Sequence, residues 1–184
     1  MKKVLMIVGS MREKSFNMHL ARLAADALRG TAEVSFLNYA DIPYMNQDME
    51  FPTPEEILRV RDEVSKADGI WIFTPEYNYS YPGVLKNLLD WLSRPTRMGA
   101  PRTETAIAGK KVTISGVGGK SATANVRAKL KDLLQFMQVD LMEECETGVA
   151  LDMSAFQTNV LNLSEETKVS LQKQVDAFLK FMEG

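Results

Sequence analysis

The hydrophobic residues of this chain alternate between short unbroken runs and helically spaced stripes. Val4 to Val8 and Gly69 to Phe73 are continuous apolar runs, as in parallel strands that are buried on both faces. Val34 to Leu37, Val112 to Val117 and Val139 to Met142 are further short segments, rich in apolar residues, that are predicted to be strands. The apolar runs therefore predict a sheet of five strands.

Between the runs, apolar residues recur at intervals of three and four, which is typical of helices with one buried face. The predicted helices cover residues 16–29, the segment after Pro54, the segment after Pro82, residues 126–137 and a last helix that Ser164 caps. Strands that alternate with helices indicate an α/β protein, and right-handed crossovers make a doubly wound parallel sheet the default. Ligands of such sheets bind beyond the carboxyl ends of the strands.

Length and composition narrow the class of protein. The 184 residues show no linker or repeat, which predicts a single domain over residues 1–184. A net charge of -2 indicates no basic surface for nucleic acid. The single cysteine, Cys145, excludes an intramolecular disulfide, fits a cytoplasmic protein, and with one histidine gives no support for a zinc site. No stretch approaches the roughly 20 apolar residues that span a membrane, so we expect a soluble protein.

The loop after the first strand, residues 9–17, has the composition of a phosphate site and leads directly into a helix. The first turn of a helix offers unpaired N–H groups and a partial positive charge. Ser10, Ser15 and Asn17 would add neutral donors, and Arg12 a charged one. Neither the Gly-Lys-Ser/Thr of a P-loop nor the Gly-x-Gly-x-x-Gly of dinucleotide folds is present. The alternative is a helix cap with a solvated arginine.

Two further loops follow strands at the same predicted edge. After Pro75, the amides of Glu76, Tyr77 and Asn78 are expected to point into the crevice, where they would reach the N5 and O4 edge of an isoalloxazine ring. Glycines in residues 115–119 would allow close approach to the pyrimidine side of that ring. The alternatives are plain turns and, for the tyrosines of the first of these loops, a subunit interface.

The motifs resemble those of the NADPH-dependent FMN reductase family, which includes flavin, azo-dye, quinone and chromate reductases. The resemblance rests on Gly-Ser-x-Arg-x-x-Ser-x-Asn at 9–17 and Pro-Glu-Tyr-Asn at 75–78. Tyr-Pro-Gly-Val-Leu-Lys-Asn at 81–87, followed by Asp90 and Trp91, matches the family's next helix. The order and spacing agree over most of the chain, and the final helix is least diagnostic.

The resemblance implies a flavodoxin-like three-layer fold with a five-stranded parallel sheet in the order 2-1-3-4-5. It implies tightly bound FMN, NADPH or NADH as reductant, small-molecule electron acceptors, and a homodimer or homotetramer. Hydride would pass through flavin N5 in a ping-pong cycle that needs no catalytic side chain. The cofactor-binding residues so implied are Ser10, Arg12, Ser15, Phe16, Asn17, Pro75, Glu76, Tyr77, Asn78, Ser115, Gly116, Gly118 and Gly119.

Two other functions use the same features. A flavodoxin-type electron carrier would bind FMN without its own NAD(P)H activity, but such carriers usually have an acidic docking face, which a net charge of -2 does not indicate. A phosphosugar or nucleotide enzyme on the same fold would use the phosphate loop without a flavin. The physiological acceptor, the choice between NADPH and NADH, the choice between dimer and tetramer and the role of loop 94–110 cannot be read from the sequence.

Overall fold

The computed structural model covers residues 1–184, and strands alternate with helices along the chain. The strands are β1 (Lys2–Val8), β2 (Ala32–Phe36), β3 (Gly69–Phe73), β4 (Lys111–Gly118), β5 (Asp140–Leu141) and β6 (Thr147–Ala150). The helices are α1 (Phe16–Ala27), α2 (Glu55–Lys66), α3 (Gly83–Leu92), α4 (Ala124–Phe136), α5 (Met153–Thr158) and α6 (Glu165–Glu183), with a 3-10 turn at Gln47–Met49. The hydrophobic pattern missed β6, α5 and the 3-10 turn because each is too short to show a period.

All strand pairs are parallel, in the order β2-β1-β3-β4-β5, and β6 also pairs with β4. The predicted order is therefore confirmed. β5 pairs with the start of β4 and β6 with its end, so the predicted fifth strand is an edge strand interrupted between Leu141 and Thr147. The strand order reverses at β1 and β3, where an α/β sheet of this kind opens a crevice for ligands.

Two hydrophobic layers cover the sheet, one on each face. Alternate residues of β3 show the division, because Ile70 and Ile72 belong to one cluster and Trp71 and Phe73 to the other. Helices α2, α3 and α4 contribute to the first cluster, and α1 and α6 to the second. The result is a doubly wound sheet, as the alternation of strands and helices predicts, in the three-layer, flavodoxin-like arrangement that the family resemblance implies.

Helix ends and one long loop are fixed by local contacts. Ser164 caps α6 as predicted, since its Oγ accepts from the N–H of Thr167 at 3.2 Å. Loop 94–110 is anchored at its start, where the Arg94 guanidinium binds the Glu50 carboxylate at 2.7 Å, and near its end by the buried side chain of Ile107.

None of the helices combines the length and apolar character that crossing a membrane requires.

Candidate functional site

The loops that follow β1, β3 and β4 meet at one cavity of about 200 Å³ at the carboxyl edge of the sheet. They meet there because the three strands are neighbours in a parallel sheet and end in register, with Val8 beside Phe73 and Phe73 beside Ser115. The cavity is lined by Ser10, Arg12, Ser15, Phe16, Asn17, Pro75, Glu76, Tyr77, Val117, Gly118, Gly119, Leu151 and Phe156. The three loops singled out in the sequence thus share one crevice.

One end of the cavity is built to hold an anion. Ser15 caps α1, and its Oγ accepts from the N–H of Met18 at 3.3 Å. The N–H groups of Phe16 and Asn17 lie in the first helical turn and have no backbone acceptor, so they remain at the positive end of the helix. Ser10 lines the same end of the cavity. This donor set fits a terminal phosphate.

Arg12 is the one cationic side chain among the residues that line the cavity. Its Nη2 donates to the Oδ1 of Asn159, and its guanidinium carbon lies 5.1 Å from the centre of the Phe16 ring. The Phe16 ring in turn meets Phe156 edge-on, with ring centres 5.8 Å apart. Arg12 therefore places a positive charge at the anion end.

The side chain of Asn17 is anchored to the backbone of β4. Its Nδ2 donates to the carbonyl oxygen of Val117 at 3.0 Å, and its Oδ1 accepts from the Val117 N–H at 2.9 Å. The residue is only 3% exposed. Because the amide pairs with the backbone of β4, Asn17 braces the phosphate loop against the third loop, and its own N–H and the second hydrogen of Nδ2 are the donors left at the cavity.

The loop after β3 lines the other end of the cavity, but its amides are not all free. The Tyr77 N–H donates to the carbonyl oxygen of Ser80 at 2.9 Å, so the prediction that this amide faces the crevice is wrong. The amides of Glu76 and Asn78 make no such bond. Asn78 and Tyr79 have φ angles of 52° and 60°, which turn the chain back, and Asn78 does not line the cavity.

The carboxylate of Glu76 is occupied by helix α4. It accepts from the Ser121 hydroxyl at 2.8 Å, the Asn125 amide at 3.1 Å and the Val126 N–H at 3.0 Å. Burial opposes ionisation of Glu76, but the bonds from Val126, Asn125 and Ser121 outweigh it and hold its pKa below the ordinary value. Thr123, the residue before α4, makes no cap of its own, so Glu76 caps this helix from a neighbouring loop.

The loop after β4 divides into residues that pack and residues that face the cavity. The Ser115 hydroxyl accepts from Trp71 Nε1 at 3.0 Å and donates to Gln174 at 2.9 Å, in the core. A Cβ at Gly116 would lie 2.4 Å from the carbonyl oxygen of Thr74, so this glycine serves packing within the protein. Ser115 and Gly116 lie within β4 and do not line the cavity, so the structure gives no support for the prediction that they contact a cofactor.

The other two glycines of that loop lie at the cavity. Gly118 and Gly119 both line it, and nothing lies within 4 Å of the position of a Cβ on Gly119. Together with Pro75 and Tyr77 they form an uncharged stretch of the lining, and the carboxylate of Glu76 beside them is bonded to α4. A phosphate end joined to such a lining fits a phosphorylated planar ring, which is the shape of FMN.

One wall of the cavity lies outside the loops that were predicted from the sequence. Leu151 and Phe156, from the segment after β6, line it, and Asn159 binds Arg12. Asp152 is the residue from which this segment could have been predicted, since an acidic residue before a short helical stretch marks a helix start. In the structure its carboxylate accepts from the Ala155 N–H at 2.8 Å and caps α5.

A second, more open cavity of about 420 Å³ adjoins the first through Arg12 and Tyr77. Its rim carries exposed apolar and aromatic side chains, with Tyr44 88% exposed and Met11 47% exposed. Val84 is also exposed there. This surface leaves room for a planar reactant beside the first cavity.

Comparison with known proteins covers the same loops. A family model described as NADPH-dependent FMN reductase matches residues 2–153. The chain is 33% identical over 177 residues to a 2-hydroxy-1,4-benzoquinone reductase from a Burkholderia species, which covers 96% of this chain and 93% of that protein. It is 34% identical over 189 residues to a quinone reductase from Escherichia coli, with 98% and 95% covered. In structure it is similar to FerB, a flavoenzyme NAD(P)H:(acceptor) oxidoreductase from Paracoccus denitrificans, with a TM-score of 0.86, 32% identity and coverage of 100% and 98%.

Proposed function

The chain belongs to the NADPH-dependent FMN reductase family, and from this membership we propose that it reduces quinones and similar small acceptors. It is an oxidoreductase that uses FMN and NAD(P)H. The observation that carries the proposal is the meeting of the loops after β1, β3 and β4 at one cavity, whose lining combines anion donors with Pro75, Tyr77 and two glycines. A phosphosugar enzyme would have no use for this uncharged part of the lining.

In this proposal the FMN phosphate is held by Ser10, Ser15, Arg12 and the free N–H groups at the start of α1. The ring is held between the loop at Pro75 to Tyr77 and the glycines of the third loop. FMN, when bound, supplies hydride exchange at N5, and the protein supplies position and electrostatics. No acid or base side chain is required, so the catalytic set of this chain contains only binding residues.

The open second cavity provides a place for the two reactants. Met11, Tyr44 and Tyr77 would receive the nicotinamide of NAD(P)H and then the acceptor, because one cavity of this size next to the flavin serves both. We therefore propose a ping-pong order of reaction. The lining makes few directional polar contacts, which favours a broad range of flat acceptors.

The same rim supports a proposal about assembly. Tyr44, Tyr77, Tyr79 and Met11 are all substantially exposed near the mouth of the cavity, and aromatic residues and methionine are enriched at protein interfaces. We propose a homodimer or homotetramer in which a second copy covers part of this rim. The single, unpaired Cys145 supports a reducing, cytoplasmic location.

An anaerobic absorption experiment tests the function. The chain loaded with FMN should lose its flavin absorbance near neutral pH when NADPH or NADH is added, and regain it when a benzoquinone follows. Steady consumption of NAD(P)H with excess quinone is the matching kinetic result. A flavin that binds but is not reduced by either nucleotide would indicate the electron carrier instead, and a chain that stays colourless after incubation with FMN would contradict the proposed site.

A further inference from the structure

Arg12 has a long, exposed side chain, yet the structure holds it in one place. An arginine of this kind loses rotamer freedom when it binds an anion, and that loss weakens binding unless other contacts have already ordered the side chain. Arg12 is the one cationic side chain that lines the cavity. The extent to which this side chain is already ordered therefore directly affects the affinity for a phosphate there. The contacts that order it come from a part of the chain far from the phosphate loop.

Two of those contacts begin in the segment after β6. Asn159 accepts a hydrogen bond from Arg12 Nη2, and Phe156 supports the Phe16 ring over which the guanidinium lies. Asn159 has a φ angle of 58°, in the left-handed region, and its N–H donates to the carbonyl oxygen of Ala155 at 2.8 Å as it closes α5. Asparagine adopts this backbone conformation more readily than other residues with a Cβ.

We propose that Asn159 is a positioning residue for the FMN phosphate and acts through Arg12. Its amide oxygen occupies one N–H group of the guanidinium and leaves the others for the anion. A neutral amide does this without a negative charge that would repel the phosphate, which a carboxylate at this place would do. The proposal rests on the proposed function, in which Arg12 binds that phosphate.

The test measures the dissociation constants of FMN and of riboflavin with the full chain freed of flavin. Asn159→Gly keeps the left-handed backbone and removes only the side chain. It should weaken FMN binding about 3- to 10-fold, the scale of the cost of ordering one long side chain on binding, and leave riboflavin unchanged. Arg12→Ala should weaken FMN binding about 10- to 150-fold, the scale of a charged hydrogen bond. In the double variant, Asn159→Gly should add less than about twofold to the effect of Arg12→Ala.

Thr158→Ala is the matched control, because the Thr158 hydroxyl donates to the Ser154 carbonyl oxygen within the same short helix and makes no contact with Arg12. It should leave the affinity for FMN unchanged, and a loss equal to that of Asn159→Gly would overturn the proposal. The proposal would also be overturned if Asn159→Gly left the affinity for FMN unchanged, or if it weakened the binding of riboflavin as much as that of FMN. A loss of FMN affinity from Asn159→Gly that is equally large in the Arg12→Ala background would overturn it as well. If Arg12→Ala binds FMN as tightly as the original chain, the proposed phosphate role of Arg12 fails, which is a separate outcome.

Discussion

Individual residues of the motifs have roles that differ from those that the motifs indicate. Glu76 belongs to the loop expected to line the flavin, yet its carboxylate caps α4. Asn17 belongs to the phosphate loop, yet its amide binds the backbone of Val117. Both side chains join one wall of the cavity to another. They keep the loops at a fixed separation, so their contribution to binding is one of position.

Glu76 gives the first prediction, a pH-dependent one. Its folded-state pKa is lowered, so the stability that it contributes is present above the unfolded-state pKa and is lost as the pH falls through the folded value. Glu76→Gln should reduce the free energy of unfolding by about 1 kcal/mol near neutral pH, the scale of a helix cap, and by much less at about pH 3. Urea unfolding at both pH values measures the difference.

Glu33→Gln serves as the control, because Glu33 is exposed on the edge strand β2. The free energy of unfolding of Glu33→Gln should be nearly the same as that of the original chain at both pH values. A constant difference for Glu76→Gln at the two pH values would show that the charge of Glu76 contributes nothing through its bonds to α4.

The glycines give a second prediction at the same scale. Gly116→Ala should destabilise the protein by about 1–3 kcal/mol, because the added Cβ meets the backbone oxygen of Thr74 and the hydroxyl of Thr123 in a packed region. Gly119→Ala should leave thermal stability nearly unchanged, since its Cβ meets nothing. Thermal unfolding of the two flavin-free variants measures this. Equal midpoints would contradict the packing role of Gly116.

At the scale of elements, the interrupted edge strand makes the cavity wall possible. The chain pairs with β4 as β5, moves away from it, and pairs with it again as β6. β6 then leads into α5 and the residues that face the phosphate loop. Glu146 lies in this interruption and holds it through two ion pairs. Its carboxylate oxygens lie 2.6 Å from Arg127 Nη1 and 3.1 Å from Lys131 Nζ. Gly148 has no Cβ, which leaves room for the Arg127 guanidinium.

Removal of this carboxylate is the third prediction. Glu146 is nearly buried, and without its carboxylate the largely desolvated charge of Arg127 would have no counter-charge. Glu146→Gln should therefore lower the free energy of unfolding by about 2–3 kcal/mol in urea titrations. Glu143→Gln is the matched control, since Glu143 is exposed and accepts only from Gln135; we expect an effect within about 0.5 kcal/mol. Equal effects of the two variants would show that the buried pair adds nothing.

At the scale of the whole molecule, stability and cofactor binding are linked. The cavity exists only when β1, β3, β4 and the segment after β6 are assembled, so a ligand of the cavity stabilises the folded chain. FMN at about 100 times its dissociation constant should add about 2.7 kcal/mol, a rise in melting temperature of about 5–10 °C for a chain of this length. Differential scanning calorimetry measures the shift.

Riboflavin at the same concentration is the matched comparison for that fourth prediction. It lacks the phosphate that the start of α1 and Arg12 are proposed to hold, so its shift should be much smaller. An equal shift for riboflavin and FMN would contradict the assignment of the phosphate end.

The sequence by itself determined the longer strands and helices and the edge of the sheet at which the site lies. Apolar periodicity is a local property, and it placed β3 at Gly69 to Phe73 as observed and the capped start of α6 at Ser164. The α/β class followed from the alternation of strands and helices, the three site loops from their motifs, and the order of strands from the resemblance to a known family.

Only the tertiary structure decided what each side chain in those loops does. The bonds of Asn17 to Val117, of Glu76 to Val126 and of Arg12 to Asn159 join residues that are distant along the chain, and no local pattern encodes such pairs. A polar side chain in a loop binds whichever partner the fold brings within reach, because a buried donor or acceptor without a partner is costly. The identity of that partner depends on packing between elements, which the assembled fold alone sets.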